Sequence, residues 1–261
     1  MNREIVEKTV KLDYRKMQSK IIQFINKQVR LSGLEGCIVG VSGGLDSSVV
    51  AALAHKALGE SLLALVMPDS TVTPKQDISD AEELIRIFSI KHLFIDISPV
   101  VSEFKKNLSD DTKAVGNLRA RIRMCLLYYY ANINKLLVLG TGDKSELMIG
   151  YFTKYGDGGC DIMPISHLYK IQVRALAKYL NLPIRIIQKP SSPALWEGHT
   201  AEKEIGVTYE EIDSILYCLL DLKLPASKII KKTGIEKSKI QRVLDLHERN
   251  EHKQKLPINI Q

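Results

Sequence analysis

Residues 42–48 read Ser42-Gly43-Gly44-Leu45-Asp46-Ser47-Ser48, set between an apolar run at 37–41 and a second at 49–53. A buried strand that passes through a tight polar loop into a helix is a phosphate cradle. Adjacent glycines let the backbone turn where side chains would clash, so successive N–H groups can converge on an anion beside the positive end of the helix dipole. Ser42, Ser47 and Ser48 add hydroxyl donors. No Gly-Lys-Ser/Thr follows, so this is not a Walker loop and no lysine stands where β- and γ-phosphates would bind. Asp46 would repel the phosphates that its own loop attracts. A bridging Mg²⁺ turns that repulsion into a clamp.

Three further clusters carry polar residues in patterns that suit a ligand. Val138-Leu139-Gly140-Thr141-Gly142-Asp143-Lys144-Ser145-Glu146 follows an apolar run and lacks the third glycine of a dinucleotide fingerprint. If it ends a strand of the same sheet, Glu146 can place a second carboxylate on the same metal. Gly150-Tyr151-Phe152-Thr153-Lys154-Tyr155-Gly156-Asp157-Gly158-Gly159-Cys160-Asp161 mixes aromatics, a lysine and two aspartates in a flexible stretch suited to a lid. The regular acidic spacing and closing Glu of a calcium loop are absent. Arg119, Arg121 and Arg123 occupy every second position of a predicted helix, so they point around it and cannot all face one partner. At least one is placed to reach an anion with its forked donors.

The elements that position these clusters alternate along the chain. Apolar spacing predicts an opening helix over 9–31, then strand 37–41, helix 46–58, strand 61–67, helix 74–89, strand 91–97, helix 99–108, helix 113–133 and strand 135–140. Such alternation implies parallel crossovers, hence an α/β fold with a doubly wound parallel sheet flanked by helices, whose ligands gather at the strands' C-terminal ends. The expected organisation is one domain over 1–261, with a core over about 34–187 and lid loops at 150–168 and 188–206 around a helix at 171–180. A helical extension follows over 208–252, as helices 208–221, 225–233 and 236–252.

Bulk composition is that of an ordinary globular chain, 45% hydrophobic and 26% charged, with no repeat period. The N-terminus shows no basic-then-apolar signal, and no apolar run approaches the ~20 residues of a membrane span. A cytoplasmic protein without a membrane partner is expected. Cys37, Cys125, Cys160 and Cys218 stand far apart with no Cys-x-x-Cys, which argues against a disulfide framework or a zinc site. The net charge of +7 does not by itself select a partner. The densest basic stretch, 223–239, lacks interleaved aromatics and reads as solvated surface.

The Ser-Gly-Gly-x-Asp-Ser pattern resembles the pyrophosphate loop of the N-type ATP pyrophosphatases, with their adenine nucleotide alpha hydrolase-like fold. Taken together, the segments 42–48, 117–124, 139–146, 150–161, 164–170, 195–204 and 250–253 resemble the NAD synthetase family in order and spacing, across nearly the whole chain. The Tyr-Phe-Thr-Lys-Tyr-Gly-Asp-Gly lid is the most specific of them. The resemblance implies an ATP-dependent ligase in which deamido-NAD attacks the α-phosphate of ATP, pyrophosphate leaves, and ammonia displaces AMP from the acyl-adenylate. It also implies a homodimer that binds no nucleic acid.

By similarity, Gly40, Ser42, Gly43, Gly44, Asp46 and Ser47 hold the ATP phosphates, and Asp46 and Glu146 hold Mg²⁺. Lys170 neutralises the charge that builds as the phosphate bond breaks. Met67, Arg121, Thr141 and Ser192 complete the ATP site. Arg119, Lys154, Asp157, Asp161, His252 and Lys253 contact deamido-NAD, with Asp157 the acceptor of ammonia's proton and His252-Lys253 reaching across a subunit boundary. Glutamine-using members carry an extra domain with a nucleophilic cysteine, whereas the synthetase pattern fills these 261 residues, so free ammonia is the expected donor.

The chain departs from the family pattern in places. The family often has Asn where Asp143 stands, and Gln and Asp at His199 and Ala201; Pro193-Ala194 replaces a small-residue pair. Roles for 191–201 are therefore left open, with Ser191, Ser192 and Thr200 as candidate hydroxyl donors. Another ATP pyrophosphatase, such as a tRNA-modifying enzyme, is the alternative reading. RNA thiolation would want paired cysteines, which the chain lacks. A helix-turn-helix over 225–248 would be a DNA-binding alternative, but it leaves the upstream clusters unexplained.

Overall fold

Period-two alternation in the strands sends side chains to two faces, and both faces are covered. In a computed structural model describing residues 2–109, 111–192, 196 and 198–255, β1 (Gly36–Gly40), β2 (Leu62–Val66), β3 (Lys91–Phe94) and β4 (Leu136–Leu139) form one parallel sheet in the order β3-β2-β1-β4. The register pairs Cys37 with Leu62 and with Leu137, and Leu63 with Lys91. Cys37, Val39, Leu62, Ala64 and Val66 face one buried cluster, and Ile38, Leu63, Leu65 and Val138 face the other. Apolar side chains on both sides make such a strand read as a continuous hydrophobic run.

The first face is covered by α2 (Tyr14–Ser32), α3 (Leu45–Leu58), α4 (Lys75–Phe88), α8 (Lys170–Tyr179) and α9 (Ile184–Gln188). On the second lie α5 (Ser98–Lys105) and α6 (Thr112–Asn134). A third cluster joins α1 (Arg3–Val10), α7 (Lys144–Ile149), α10 (Ala201–Ile205), α11 (Tyr209–Leu216), α12 (Ala226–Thr233) and α13 (Lys237–Arg249). Ile229, Ile235, Ile240 and Val243 of the α12–α13 pair are buried in it.

Most element limits agree with the sequence reading within a residue or two. The opening helix is instead two, because Asp13 caps a fresh start by accepting from Lys16 N at 3.0 Å. The third strand is shorter than 91–97. Ile95 N still reaches Val66 O at 2.9 Å, but β3 is an exposed edge strand. The segment 150–168 is partly stitched along the sheet, with Gly140 N donating to Ile162 O at 2.9 Å and Asp161 N to Val138 O at 2.9 Å. Within 188–206 a short helix, α10, ends at left-handed Gly206 (φ 80°), while Pro193, Ala194, Leu195 and Glu197 lie outside the described residues.

Asp213 shows how the third cluster is fastened to the sheet. Fully buried on α11, it accepts from Ile171 N at 2.8 Å and from the Ser145 hydroxyl, so it ties α8 and α7 together. Burial pushes its carboxyl from the ordinary 3.8 up to about 7, against the pull of those hydrogen bonds. A raised folded-state value favours the folded chain while the group is protonated, and that contribution is lost as pH rises from about 4 through about 7. Asp213→Asn should therefore flatten the fall in stability across that window, by about 4 kcal/mol at most. Urea unfolding at pH 4.5 and 7.5 checks it: equal losses in both proteins would refute the assignment.

Candidate active site

The phosphate cradle forms where β1 ends. Gly43 has φ +76°, and a Cβ there would sit 2.0 Å from the carbonyl oxygen of Asp77 in α4, so glycine is required on both counts. Ser42 N donates to Ser47 Oγ at 3.2 Å, the two hydroxyls lie 3.1 Å apart, and Ser48 Oγ donates to Gly44 O at 2.7 Å. Gly44 has no side chain to cap α3. The helix therefore presents its N-terminal N–H groups to an anion.

Beneath the cradle lies a buried ammonium. Lys170, the first residue of α8, has a side chain 1% exposed, with Nζ 2.7 Å from Asp46 Oδ2, 2.8 Å from Glu146 Oε1 and 3.0 Å from Asp143 Oδ2. Burial would lower its pKa, but the three carboxylates outweigh that and hold it well above the ordinary value. Asp143 caps α7 by accepting from Glu146 N at 2.8 Å. Burial pushes the carboxyls of Asp143 and Glu146 up, against the attraction of Lys170. With all three ionised, the cluster carries two negative charges in excess.

That excess suits a divalent cation. Asp46 Oδ1 is buried with no hydrogen-bond partner among the described residues, which is the lone pair a metal would take. Among the described residues, no group of three His, Cys, Asp or Glu side chains is arranged to hold a metal. A cation held by Asp46 and Glu146 would take its other ligands from phosphate and water. Mg²⁺ is bound in that way, by one or two carboxylates plus substrate oxygens.

A cleft of about 820 Å³ runs from the cradle between the two glycine-rich segments. Gly40, Ser42, Gly44, Asp46, Ser47, Met67, Thr141, Glu146, Asp157, Ser192 and Lys253 line it. Lys253 Nζ fastens the first segment by donating to Gly150 O at 2.7 Å and Phe152 O at 3.0 Å. Asp157 is exposed toward the opening, yet loop backbone crowds its carboxyl. That loss of hydration raises its pKa, against the hydrogen bond from Thr153 N at 2.8 Å.

A phosphate cradle, an acidic pair and a cleft at the sheet's C-terminal edge do not by themselves fix the family, and comparison with known proteins does. The model of the NAD synthase family matches residues 17–257. The chain belongs to the NAD synthase family. A relative named NH(3)-dependent NAD(+) synthetase in Aeropyrum pernix is 50% identical over 259 residues, covering 97% of this chain and 91% of that one. One of the same name in Hyperthermus butylicus is 51% identical over 249 residues, covering 94% and 90%. Among solved structures, the NMN synthetase from Francisella tularensis superposes with a TM-score of 0.85 at 36% identity, covering 96% of this chain and 99% of that one. The NH3-dependent NAD synthetase from Campylobacter jejuni gives 0.82 at 34%, covering 96% and 100%.

Several residues expected to contact ligand do not line the cleft of the single chain. Arg119 is buried and paired with Asp69 at 2.6 Å. Arg121 is exposed and reaches Lys154 O at 3.3 Å, and Lys154 Nζ donates to His252 O at 3.0 Å; none of the three lines the cleft. Asp161 accepts from Val138 N at 2.7 Å and Tyr128 OH at 3.0 Å, which makes it a strand clamp. Gly43 backs the cradle against α4, and Lys170 meets the cleft only through Asp46 and Glu146.

Sequence reasoning named Lys253, left Arg123 as one of three candidate arginines and missed Lys189 among the cations that face the cleft. Arg123 lines it, donating to Met67 O at 2.8 Å; burial lowers its pKa to about 10, so it stays charged at neutral pH. Lys189 lines it too, bonding Gly43 O at 2.9 Å and pairing with Asp77 at 2.9 Å. Lys189 has no local signal beyond being basic.

Lys170→Met removes the ammonium and leaves three carboxylates crowded together. It should cost about 3–5 kcal/mol of stability at pH 8, since breaking a buried pair strands its partners. Adding Asp143→Asn should restore part of that loss. Denaturant midpoints measured with and without the second change decide it, and a Lys170→Met protein as stable as the parent would contradict the reading.

Proposed function

We propose that this chain amidates deamido-NAD with free ammonia, driven by cleavage of ATP to AMP and pyrophosphate. The observation that carries the reading is the pairing of a lysine-free phosphate cradle with the Asp46–Glu146 pair in a chain of the NAD synthase family. Ser42, Gly44 and Ser47, with the N–H groups of α3, grip the β- and γ-phosphates as one unit and leave the α-phosphate open to the carboxylate of deamido-NAD. Asp46 and Glu146 would hold Mg²⁺, which when bound screens the phosphate charge. Lys170 fixes the position of both carboxylates. Arg123 and Lys189 add positive charge to the cleft walls. Asp157 and Lys253 stand at the segment that faces the second substrate and the incoming ammonia.

The same reading makes the chain a cytoplasmic homodimer. In its support, no helix among the described residues is long and apolar enough to cross a membrane. Large apolar side chains lie exposed on α5 and α6, Phe104 at 50%, Tyr129 at 59% and Ile133 at 60%, where a second copy could cover them. Sedimentation equilibrium reads the assembly directly, and a monomer at micromolar concentration would reject it.

Incubation with ATP, Mg²⁺, ammonium and deamido-NAD should yield NAD, AMP and pyrophosphate in equal amounts, with ADP absent. Glutamine in place of ammonium should yield no NAD. Nicotinic acid mononucleotide is the informative control, given the NMN synthetase among the structural neighbours; faster turnover of the mononucleotide would reassign the substrate while leaving the chemistry. Asp46→Asn and Glu146→Gln should each slow adenylation roughly a hundredfold or more with folding intact by circular dichroism. Full activity in either at saturating Mg²⁺ would refute their role.

A further inference from the structure

One cluster in the cleft wall takes no part in the chemistry so far. Tyr151, at the root of the first glycine-rich segment, donates from its hydroxyl to Glu204 Oε2 at 2.8 Å. His199, on the second segment, has Nε2 2.9 Å from the same oxygen and 3.1 Å from the Tyr151 hydroxyl. Its side chain is 2% exposed and its ring stacks on Trp196, centroids 3.5 Å apart and planes 11° from parallel. Lys113 of α6 pairs with the other oxygen of Glu204 at 3.1 Å. All five residues line the cleft.

The arrangement fixes a tautomer. A carboxylate can only accept, so Nε2 carries a hydrogen, and in the neutral imidazole Nδ1 presents a lone pair. Burial pushes the Glu204 carboxyl up, but hydrogen bonds from Tyr151, His199 and Lys113 outweigh it and hold it below its ordinary range, so it stays an acceptor. Nδ1 is buried with no partner among the described residues, and so are the hydroxyls of Ser191 and Thr200 on the same segment. Buried polar atoms are nearly always bonded, and three without partners along one stretch of a cleft wall mark a place where a polar ligand sits. A base held in one tautomer by a carboxylate behind it is the arrangement that nucleophile activation uses.

We propose that His199 Nδ1 takes a proton from ammonium in the amidation step, with Glu204 and Tyr151 as the positioning residues that hold the imidazole. The proposal rests on the ammonia-dependent reading above. One N–H bond of ammonium breaks, its electron pair stays on nitrogen, and the proton bonds to Nδ1. The freed lone pair attacks the acyl carbon as the carbon–oxygen bond to AMP breaks. The second proton, shed as the C–N bond forms, leaves with AMP. Glu204 offsets the imidazolium charge, and His199 returns its proton to solvent. Asp157 is the competing base in the same cleft, but its carboxyl already accepts from Thr153 N. The charged and titratable groups around the imidazole are Glu204 and Tyr151 in contact, Lys113 across Glu204, Glu146 and Asp157, which act on Tyr151 through space, and Lys253, which acts on Glu204.

Three rates separate the outcomes: pyrophosphate exchange into ATP with deamido-NAD alone, amidation by ammonium, and amidation by hydroxylamine, which is largely unprotonated at neutral pH. His199→Gln should keep exchange, lose about a hundredfold in kcat/KM for ammonium, and retain the parent rate with hydroxylamine. Its kcat/KM for total ammonium should climb tenfold per pH unit below pH 8, because only free ammonia then serves, while the parent climbs less steeply. Glu204→Gln should shift the profile the same way, with a smaller loss, and it carries the test should His199→Gln not fold. Equal losses with ammonium and hydroxylamine, or an unchanged pH profile, would overturn the proposal. Absence of exchange in the parent protein would instead overturn the functional reading beneath it.

Discussion

The ammonium of Lys170 is the group on which the cleft is assembled. It stands where the N-termini of three helices meet: Asp46 lies in the first turn of α3, Asp143 caps α7 with Glu146 in its first turn, and Lys170 opens α8. Carboxylates are favoured at helix N-termini and a lysine is not. One cation among three acids reconciles the two, because each helix end then faces the charge it prefers across a shared centre. A second layer holds the first: Ser145 Oγ accepts from Lys170 N at 2.9 Å, and Asp213 binds both Ser145 and Ile171 N. Moving any one of these helices would unpair a buried charge.

Such a centre contributes little to stability compared with apolar packing. Buried ion pairs of this kind often lose to hydrophobic replacements, since desolvation offsets most of the attraction. The apolar clusters on the two faces of the sheet are what fold the chain. With its three carboxylates ionised, the tetrad supplies instead two charges in excess and an Asp46 oxygen with no partner among the described residues, beside the helix N-terminus at the cradle. Electrostatic groups fixed in advance need no rearrangement when charge develops, which is where their value for catalysis lies.

What could be read from the sequence was what the chain encodes locally. The cradle at 42–48 needs only a strand, two glycines and a helix start in succession, and its placement follows from the parallel topology that the alternating pattern predicts. The arginines of α6 show the opposite case. Their spacing predicts that they diverge, but which one meets the cleft depends on Asp69, 50 residues from Arg119, and on Met67, 56 residues from Arg123. No local signal carries that. The Tyr151–His199–Glu204 cluster likewise joins residues about 50 apart, across segments whose glycine and proline content marks them only as irregular.

The two segments that flank the cleft are tied down from different sides. The first is held at its root by Lys253, by Thr153 Oγ1 donating to Asn117 Oδ1 at 2.6 Å, and by its own Asp157. The second begins at Lys189, whose ammonium bonds the carbonyl of Gly43 inside the phosphate cradle. Tyr151, His199 and Glu204 then join the two across the cleft. These are polar contacts within the cleft wall, with His199 itself buried. The ends nearest the cradle are fixed by buried partners, Asp80 on Lys189 among them. The cradle thus sits on helix ends locked by a buried tetrad, whereas the two flanking segments are joined to each other by a few hydrogen bonds.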